Sequence, residues 1–387
     1  MEKISLSKST IFINTLPVSP RSGGIRVFLL ELIDAFANND NPLFEYCLIC
    51  CPSNKELFTT ASNYPNIRLL QVEVDNSNPL KRIYFEQFKL NKLLNKQSNS
   101  ILLNICNIAL LKCNLPQVTI IQAQMSIKAL RKTLPEKYIS ISKLHKIYYD
   151  LLLEKSIKIS KKTIAISHYM VEFLDKFRDK IVIIHEGVNM SAFNDINNDL
   201  SAFKDKMPYI LSVSTLFPHK NMDKLIEAFS IFKNQHKNDF KLLIAGKDPD
   251  GKQLDFLKDI AVKYNVAEDV FFPGWVANKD IPALYKNASL FVFLSGMEFF
   301  GLPILEAMAC KIPVIAANKM SLPEVTNDAG KLVEPDDVNQ VASLMEEICT
   351  NKELREHLII KGMENVQEFK WATTAKKFEH VFESVLH

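Results

Sequence analysis

Short apolar, β-branched runs alternate with longer amphipathic stretches along all 387 residues. The runs predict strands at Thr10–Asn14, Glu45–Cys51, Ile67–Val72, Ser100–Ile105, Gln117–Ile121, Thr163–Ser167 and Ile181–His185. A second series falls at Tyr209–Ser214, Phe240–Ala245, Val270–Pro273, Leu290–Leu294 and Ile312–Ala317. Helical periodicity fills the gaps, for example over Met222–Phe232 and Leu254–Tyr264. Fully apolar strands separated by helices predict parallel sheets covered on both faces. Twelve strands are too many for one comfortable doubly wound sheet, so the pattern predicts two Rossmann-like α/β domains. From Met190 to Met207 the chain is polar, rich in Asn and Asp, and has no strong period. The expected division is therefore a first domain over 1–190, a linker over 191–207 and a second domain over 208–370.

Composition narrows the picture. Hydrophobic residues are 47% and charged residues 24%, ordinary for a globular chain and unlike a disordered or fibrous one. No run reaches the ~18 apolar residues of a membrane helix, and no apolar segment follows a basic start. Seven cysteines, an odd number in a long chain, argue against a disulfide framework, so the expectation is a reduced, cytoplasmic compartment. Cys47, Cys50 and Cys51 sit in an apolar run with no second pair to complete a zinc site, and read as buried strand residues. The net charge is only +3, and Lys far outnumbers Arg, which does not suit forked base readout; no nucleic-acid partner is expected. Glycine is scarce, 10 in the chain. Each one is expected where a side chain will not fit.

In open α/β sheets ligands bind beyond the carboxyl ends of the strands. After Leu290–Leu294 comes Ser295-Gly-Met-Glu298-Phe-Phe-Gly301-Leu-Pro303-Ile-Leu-Glu306. Gly301 followed by Pro303 reads as a helix start, whose free N–H groups and dipole suit an anion. Glu298 and Glu306 lie on either side, placed to accept hydrogen bonds from sugar hydroxyls. After Tyr209–Ser214 comes Thr215-Leu-Phe-Pro-His219-Lys220-Asn221. Asn221 reads as the N-cap of the next helix, with Lys220 beside it where a cation can meet a diphosphate.

The string Glu298-Phe-Phe-Gly-Leu-Pro-Ile-Leu-Glu306-Ala-Met-Ala resembles the signature of the retaining glycosyltransferases of family four, of the bacterial polysaccharide and O-antigen kind. Further matches are Gly23-Gly24-Ile-Arg-Val, Glu186-Gly-Val-Asn189, Leu243-Ile-Ala-Gly246, Phe272-Pro-Gly-Trp275-Val276 and Ser321-Leu-Pro-Glu324-Val. The likeness is strong from about Thr163 to Trp371 and weaker from Thr10 to Ile121. It implies the GT-B fold, two Rossmann-like domains facing a central cleft. It also implies an acceptor-binding first domain, a nucleotide-sugar-binding second domain, and a C-terminal helix over about 371–387 that packs back on the first. The activity implied is transfer of a hexose or deoxyhexose from a GDP- or UDP-sugar, with retention, to a hydroxyl of a growing, lipid-linked glycan such as O-antigen or capsule. No cofactor and no metal are required.

Carried over, the resemblance puts Glu306 on the ribose hydroxyls, Glu298 on the donor sugar and Lys220 on the diphosphate. The backbone of Phe300, Gly301 and Leu302 would hold that diphosphate, and Val276 beside Trp275 would meet the base. Gly23, Gly24 and Gly246 would let backbone approach the nucleotide. Thr215 stands where many relatives have an arginine, and His219 is the candidate to replace it. Phe299 stands in place of a usual glycine. Where relatives show a His-Asp pair this chain has Gln122 and Gln124. A dinucleotide-dependent epimerase or oxidoreductase would need a Gly-x-Gly-x-x-Gly turn, and the chain has none. A non-catalytic partner protein predicts loss of a motif carboxylate or the lysine, and all three are present. Residues 128–162 hold ten Lys/Arg against three acids, with Leu144, Ile147, Tyr148, Leu151 and Leu152 at helical spacing. Such a helix can rest on an anionic membrane, at the cytoplasmic face of the inner membrane on this reading.

Overall fold

The computed structural model describes residues 8–39, 42–122, 126–134, 143–194, 208–236, 239–277 and 280–386. Its strands are β1 (Thr10–Asn14), β2 (Glu45–Cys50), β3 (Ile67–Gln71), β4 (Ser100–Asn104), β5 (Gln117–Ile121), β6 (Lys162–Ala165) and β7 (Ile181–Ile183). A second set comprises β8 (Tyr209–Val213), β9 (Lys241–Ala245), β10 (Val270–Gly274), β11 (Ala288–Phe293), β12 (Val314–Ala317) and β13 (Lys331–Val333). Each set forms one parallel sheet. The orders are β3-β2-β1-β4-β5-β6-β7 and β10-β9-β8-β11-β12-β13. In both, the chain leaves a central strand to one side and then returns to fill the other, the doubly wound arrangement. The order reverses between β1 and β4 in the first sheet and between β8 and β11 in the second.

All but one of these strands lie where the apolar runs predict them, with ends shifted by a residue or two. The strand the pattern does not predict is β13, three residues that pair in parallel with β12. The chain divides into two compact units, Met1–Gly187 with Trp371–His387, and Val188–Lys370. Residues 195–207 of the expected linker lie outside the described residues.

In the first unit β2, β4 and β5 are buried along almost their whole length, which is why they read as unbroken apolar runs. Cys47, Cys50 and Cys51 are free and fully buried. Burial pushes the Cys47 thiol up to about 11, so it packs as a small hydrophobe rather than a thiolate ligand. The helix Trp371–Leu386 packs on the helix Gly24–Ala37, with Trp371 edge-on to Phe28 and Phe378 edge-on to Phe36. Buried Glu379 accepts hydrogen bonds from Tyr46 Oη (2.8 Å) and Asn39 Nδ2 (3.1 Å).

The second unit is built around the helix Met222–His236. Its residues Leu225, Ile226, Phe229 and Phe232 form one buried stripe at helical spacing. Phe232 meets Phe240 edge-on, and the stripe packs among strand residues Ile210, Leu242, Ile244 and Val292.

Candidate active site of the second unit

The site lies where β8 and β11 part, each feeding a loop at its carboxyl end. The β8 loop runs through Thr215 and a short 3-10 turn, Pro218–Lys220. Asn221 closes that turn in the left-handed conformation, φ 53°, which Asn tolerates well. Its side chain does not play the expected cap role towards the next helix. It donates from Nδ2 to Leu294 O (2.8 Å), at the end of β11. Gly296 N in turn donates to His219 O (2.8 Å). The two loops are thus tied to each other by one bond in each direction.

That tie sets Lys220 against Glu298. Their side chains form an ion pair, largely withdrawn from solvent, with the ammonium also lying 5.6 Å from the Phe293 ring centre. Fully buried Ser321 donates from Oγ to Glu298 O (3.0 Å) and Phe300 O (3.1 Å), so the backbone of the loop is anchored from the other side. The Phe300 ring is buried and meets Phe369 edge-on.

The helix Leu302–Ala309 follows directly. Gly301 precedes it with φ 115°, a backbone conformation that calls for glycine, and a Cβ there would also press on Leu322 Cδ2 at 2.7 Å. The helix therefore starts with its first-turn N–H groups, among them that of Leu302, at the loop that carries Glu298. Pro303 has no N–H and Ile304 N donates to Gly301 O (3.0 Å), so the Leu302 N–H is the first-turn donor left for a ligand, at the positive end of the helix dipole. One turn in, Glu306 accepts a hydrogen bond from Tyr285 Oη (2.9 Å). Burial pushes the Glu306 carboxyl up to about 6, a rise the Tyr285 hydroxyl opposes. Tyr285 comes from the short helix Ile281–Lys286 and is itself fully buried.

The other expected residues are distributed as follows. Thr215 and Val276 are half-buried, and Trp275 is 69% exposed just past β10. His219 stacks on Phe217 with ring centres 5.5 Å apart. Burial, reinforced by the Lys220 ammonium, lowers the His219 pKa to about 4. The imidazole is therefore neutral near pH 7. It can exchange hydrogen bonds there. Gly246 is glycine for a reason inside the protein: a Cβ would lie 1.7 Å from Ser214 O. Close passage of β9's end against β8's accounts for it without a ligand. Gly23 and Gly24 belong to the first unit, where Gly24 begins the helix Gly24–Ala37, and a Cβ on either would meet nothing within 4 Å. Gln122, also in the first unit, is buried, and neither side-chain polar atom bonds to a described group. Gln124 lies outside the described residues. Sequence reasoning missed Tyr285 as a partner of Glu306 and Ser321 as the anchor of the loop.

Residues 194–365 match the family model described as glycosyl transferases group 1. An O-antigen chain mannosyltransferase B of Escherichia coli is 32% identical over 163 residues, 42% of this chain and 42% of that protein. The chain spans less than half the length of the curated relatives it first matches. Among solved structures, a glycosyltransferase from Rickettsia africae ESF-5 superposes with TM-score 0.74 at 20% identity, covering 98% of this chain and 99% of that one. Anabaena Alr3699/HepE in complex with UDP and glucose superposes with TM-score 0.72 at 16% identity, covering 97% of this chain and 100% of that one. These likenesses show the fold, two Rossmann-like domains of the GT-B kind.

Proposed function

For a chain that carries a group 1 glycosyl transferase domain over residues 194–365, we propose a retaining glycosyltransferase that moves a hexose or deoxyhexose from a nucleotide-diphosphate sugar to a hydroxyl of a growing glycan. The observation that carries this reading is the grouping of the Lys220–Glu298 pair and Glu306 about one helix N-terminus at a strand-order reversal. A diphosphate needs positive charge, and Lys220 with the Leu302 N–H and the dipole at the start of Leu302–Ala309 supplies it. Ribose hydroxyls need an acceptor, and Glu306 offers one. Glu298, released when the diphosphate draws Lys220 away, accepts from the donor sugar. Trp275 and Val276 flank the base.

In the reaction the bond from the anomeric carbon to the diphosphate oxygen breaks as the acceptor oxygen bonds to the same face of that carbon. The acceptor's proton passes to the leaving phosphate oxygen, so no side-chain nucleophile is required. The growing negative charge falls on a preorganised cation and dipole, where removing one such group costs about 10²–10³ in turnover. On this reading no metal ion is needed, and EDTA leaves turnover unchanged. The acceptor is a lipid-linked glycan such as O-antigen, and the reaction takes place at the cytoplasmic face of the inner membrane.

The experiment is a thermal-shift panel of UDP, GDP, ADP, CMP and dTDP, followed by turnover with the sugar of the base that binds. Lys220→Ala is expected to lose about 10²–10³ in turnover. Glu306→Gln is expected to weaken nucleotide binding about tenfold or more, as fits loss of a charged hydrogen-bond acceptor. Normal turnover in either variant overturns the assignment.

A further inference from the structure

We propose that the first unit holds a subsite for a single uncharged pyranose ring, in a cavity at the carboxyl ends of β1 and β4. The cavity has a volume of about 190 Å³ and is lined in part by Asn14, Arg82, Glu86, Asn104, Tyr148 and Tyr149. Asn14 and Asn104 are the last residues of their strands and stand opposite each other in register. They flank the point where the strand order reverses, where doubly wound sheets bind ligands.

The cavity is built from buried polar groups. Glu86 is 6% exposed, accepts from Asn14 Nδ2 (2.9 Å) and lies 3.8 Å from Arg82 Nε. Asn104, 1% exposed, donates from Nδ2 to Gln117 Oε1 (3.0 Å) and Thr119 Oγ1 (3.3 Å). No protein group among the described residues bonds to its Oδ1, nor to Arg82 Nε, though both atoms are buried. A buried acceptor with no hydrogen bond, beside a buried guanidinium nitrogen held only by a 3.8 Å ion pair, is rare and asks for an explanation. A ligand that both donates and accepts supplies one.

Glu86 and Gln87 reach the cavity from a single π-helical stretch, Phe85–Leu90, that follows the helix Pro79–Tyr84. Such turns are uncommon and concentrate at functional sites. Gln87 is committed to the wall, donating to Ala109 O (3.1 Å) and accepting from Leu111 N (2.9 Å), so that side is preformed.

The chemistry selects the ligand class. One guanidinium faces one carboxylate, which leaves no excess charge to hold a phosphate or a carboxylate. Hydroxyl groups suit the mixture of amides, carboxylate and guanidinium, and Tyr148 and Tyr149 offer aromatic surface to ring C–H groups. The volume is below the ~300–1,000 Å³ of sites for drug-sized ligands and amounts to about six water molecules at ~30 Å³ each. One ring fits; an oligosaccharide does not. That the ring is part of the glycan acceptor rests on the function proposed above, whereas the binding itself does not.

Saturation-transfer NMR on the full chain tests it, with methyl α-D-mannopyranoside, methyl α-D-glucopyranoside and inorganic phosphate as probes. The wild type is expected to transfer saturation to at least one pyranoside and not to lose it to phosphate. Asn104→Leu, with the same branching but without the amide's acceptor and donor, and Tyr148→Ala are each expected to weaken binding about tenfold. Ile108→Phe, which narrows the cavity without removing a polar group, repeats the loss should either of those fail to fold. Glu298→Gln is expected to keep the signal, which separates it from the donor-sugar position. No transfer to either pyranoside, an unchanged signal in the cavity variants, or displacement by phosphate overturns the proposal. If pyranosides bind while no nucleotide diphosphate shifts the melting temperature, the function proposed above falls and the subsite stands.

Discussion

Glu306 is held by a phenol from a different helix, in a buried setting that raises its proton affinity while the phenol opposes the rise. In the free protein its carboxyl titrates at about 6, and the Tyr285 hydroxyl keeps it from rising further. An unfolded glutamate titrates near ~4.3, so the folded state keeps this proton to higher pH. The group thus favours the fold at low pH, and that contribution declines as pH rises from the unfolded value through about 6. Nucleotide binding runs the other way, because a ribose hydroxyl donates best to the carboxylate. Affinity measured by calorimetry is expected to weaken as pH falls through about 6. Tyr285→Phe removes the opposing bond, and the midpoint of that weakening is expected to move to higher pH. An unmoved midpoint would separate the tyrosine from the carboxyl's titration. The positions of the carboxylates after β11 and of the lysine after β8 could be read because each lies in a short string just past an apolar run. Tyr285 could not be read, since nothing in Ile-Pro-Ala-Leu-Tyr-Lys distinguishes a buried phenol aimed at a carboxyl from a core aromatic. His219 was half legible: its position could be read, but its charge depends on burial, which the string does not carry.

At the scale of elements, the helix Trp371–Leu386 completes the first unit. Phe378 is fully buried and packs against Phe36 and Phe382. Phe378→Ala is expected to destabilise that unit by about 3–5 kcal/mol, read from urea denaturation, while a nucleotide diphosphate still protects the second unit. Strands announced themselves wherever burial on both faces made them continuous apolar runs. β13 did not, because Lys331-Leu-Val333 is too short to show any period. The cavity between β1 and β4 was invisible for a related reason. Arg82, Glu86 and Asn104 are brought together only by strand order and by one π turn, and neither leaves a mark in local spacing.

For the whole molecule, no helix among the described residues is long and apolar enough to cross a membrane. The helix Lys143–Ile159 nevertheless turns Leu144, Ile147 and Leu151 outward while burying Leu153, Ser156 and Ile157. Lys143, Lys155 and Lys158 are exposed on it too. Arg131 adds little to this face, since it is buried and paired with Asp150, and Lys137 lies outside the described residues. Were this helix to rest on an anionic bilayer, each surface lysine would add roughly 1 kcal/mol to the apolar contribution. Sedimentation with vesicles containing phosphatidylglycerol is expected to exceed that with neutral vesicles, to fall with added salt, and to drop in Ile147→Glu. Equal binding to both vesicle types rejects the electrostatic contribution.

The second unit, Val188–Lys370, interrupts the first in the chain, and this fixes an order of events at the ribosome. Residues 1–187 emerge without the helix that covers Phe28 and Phe36. They then wait while the whole of 188–370 is made, on the order of ten to forty seconds at ~5–20 residues per second. The later domain can finish folding before the earlier one does. Throughout that interval the aromatic face of the helix Gly24–Ala37 is available to chaperones. A chain stopped short of Trp371 would be released with its first domain unfinished, however complete its second.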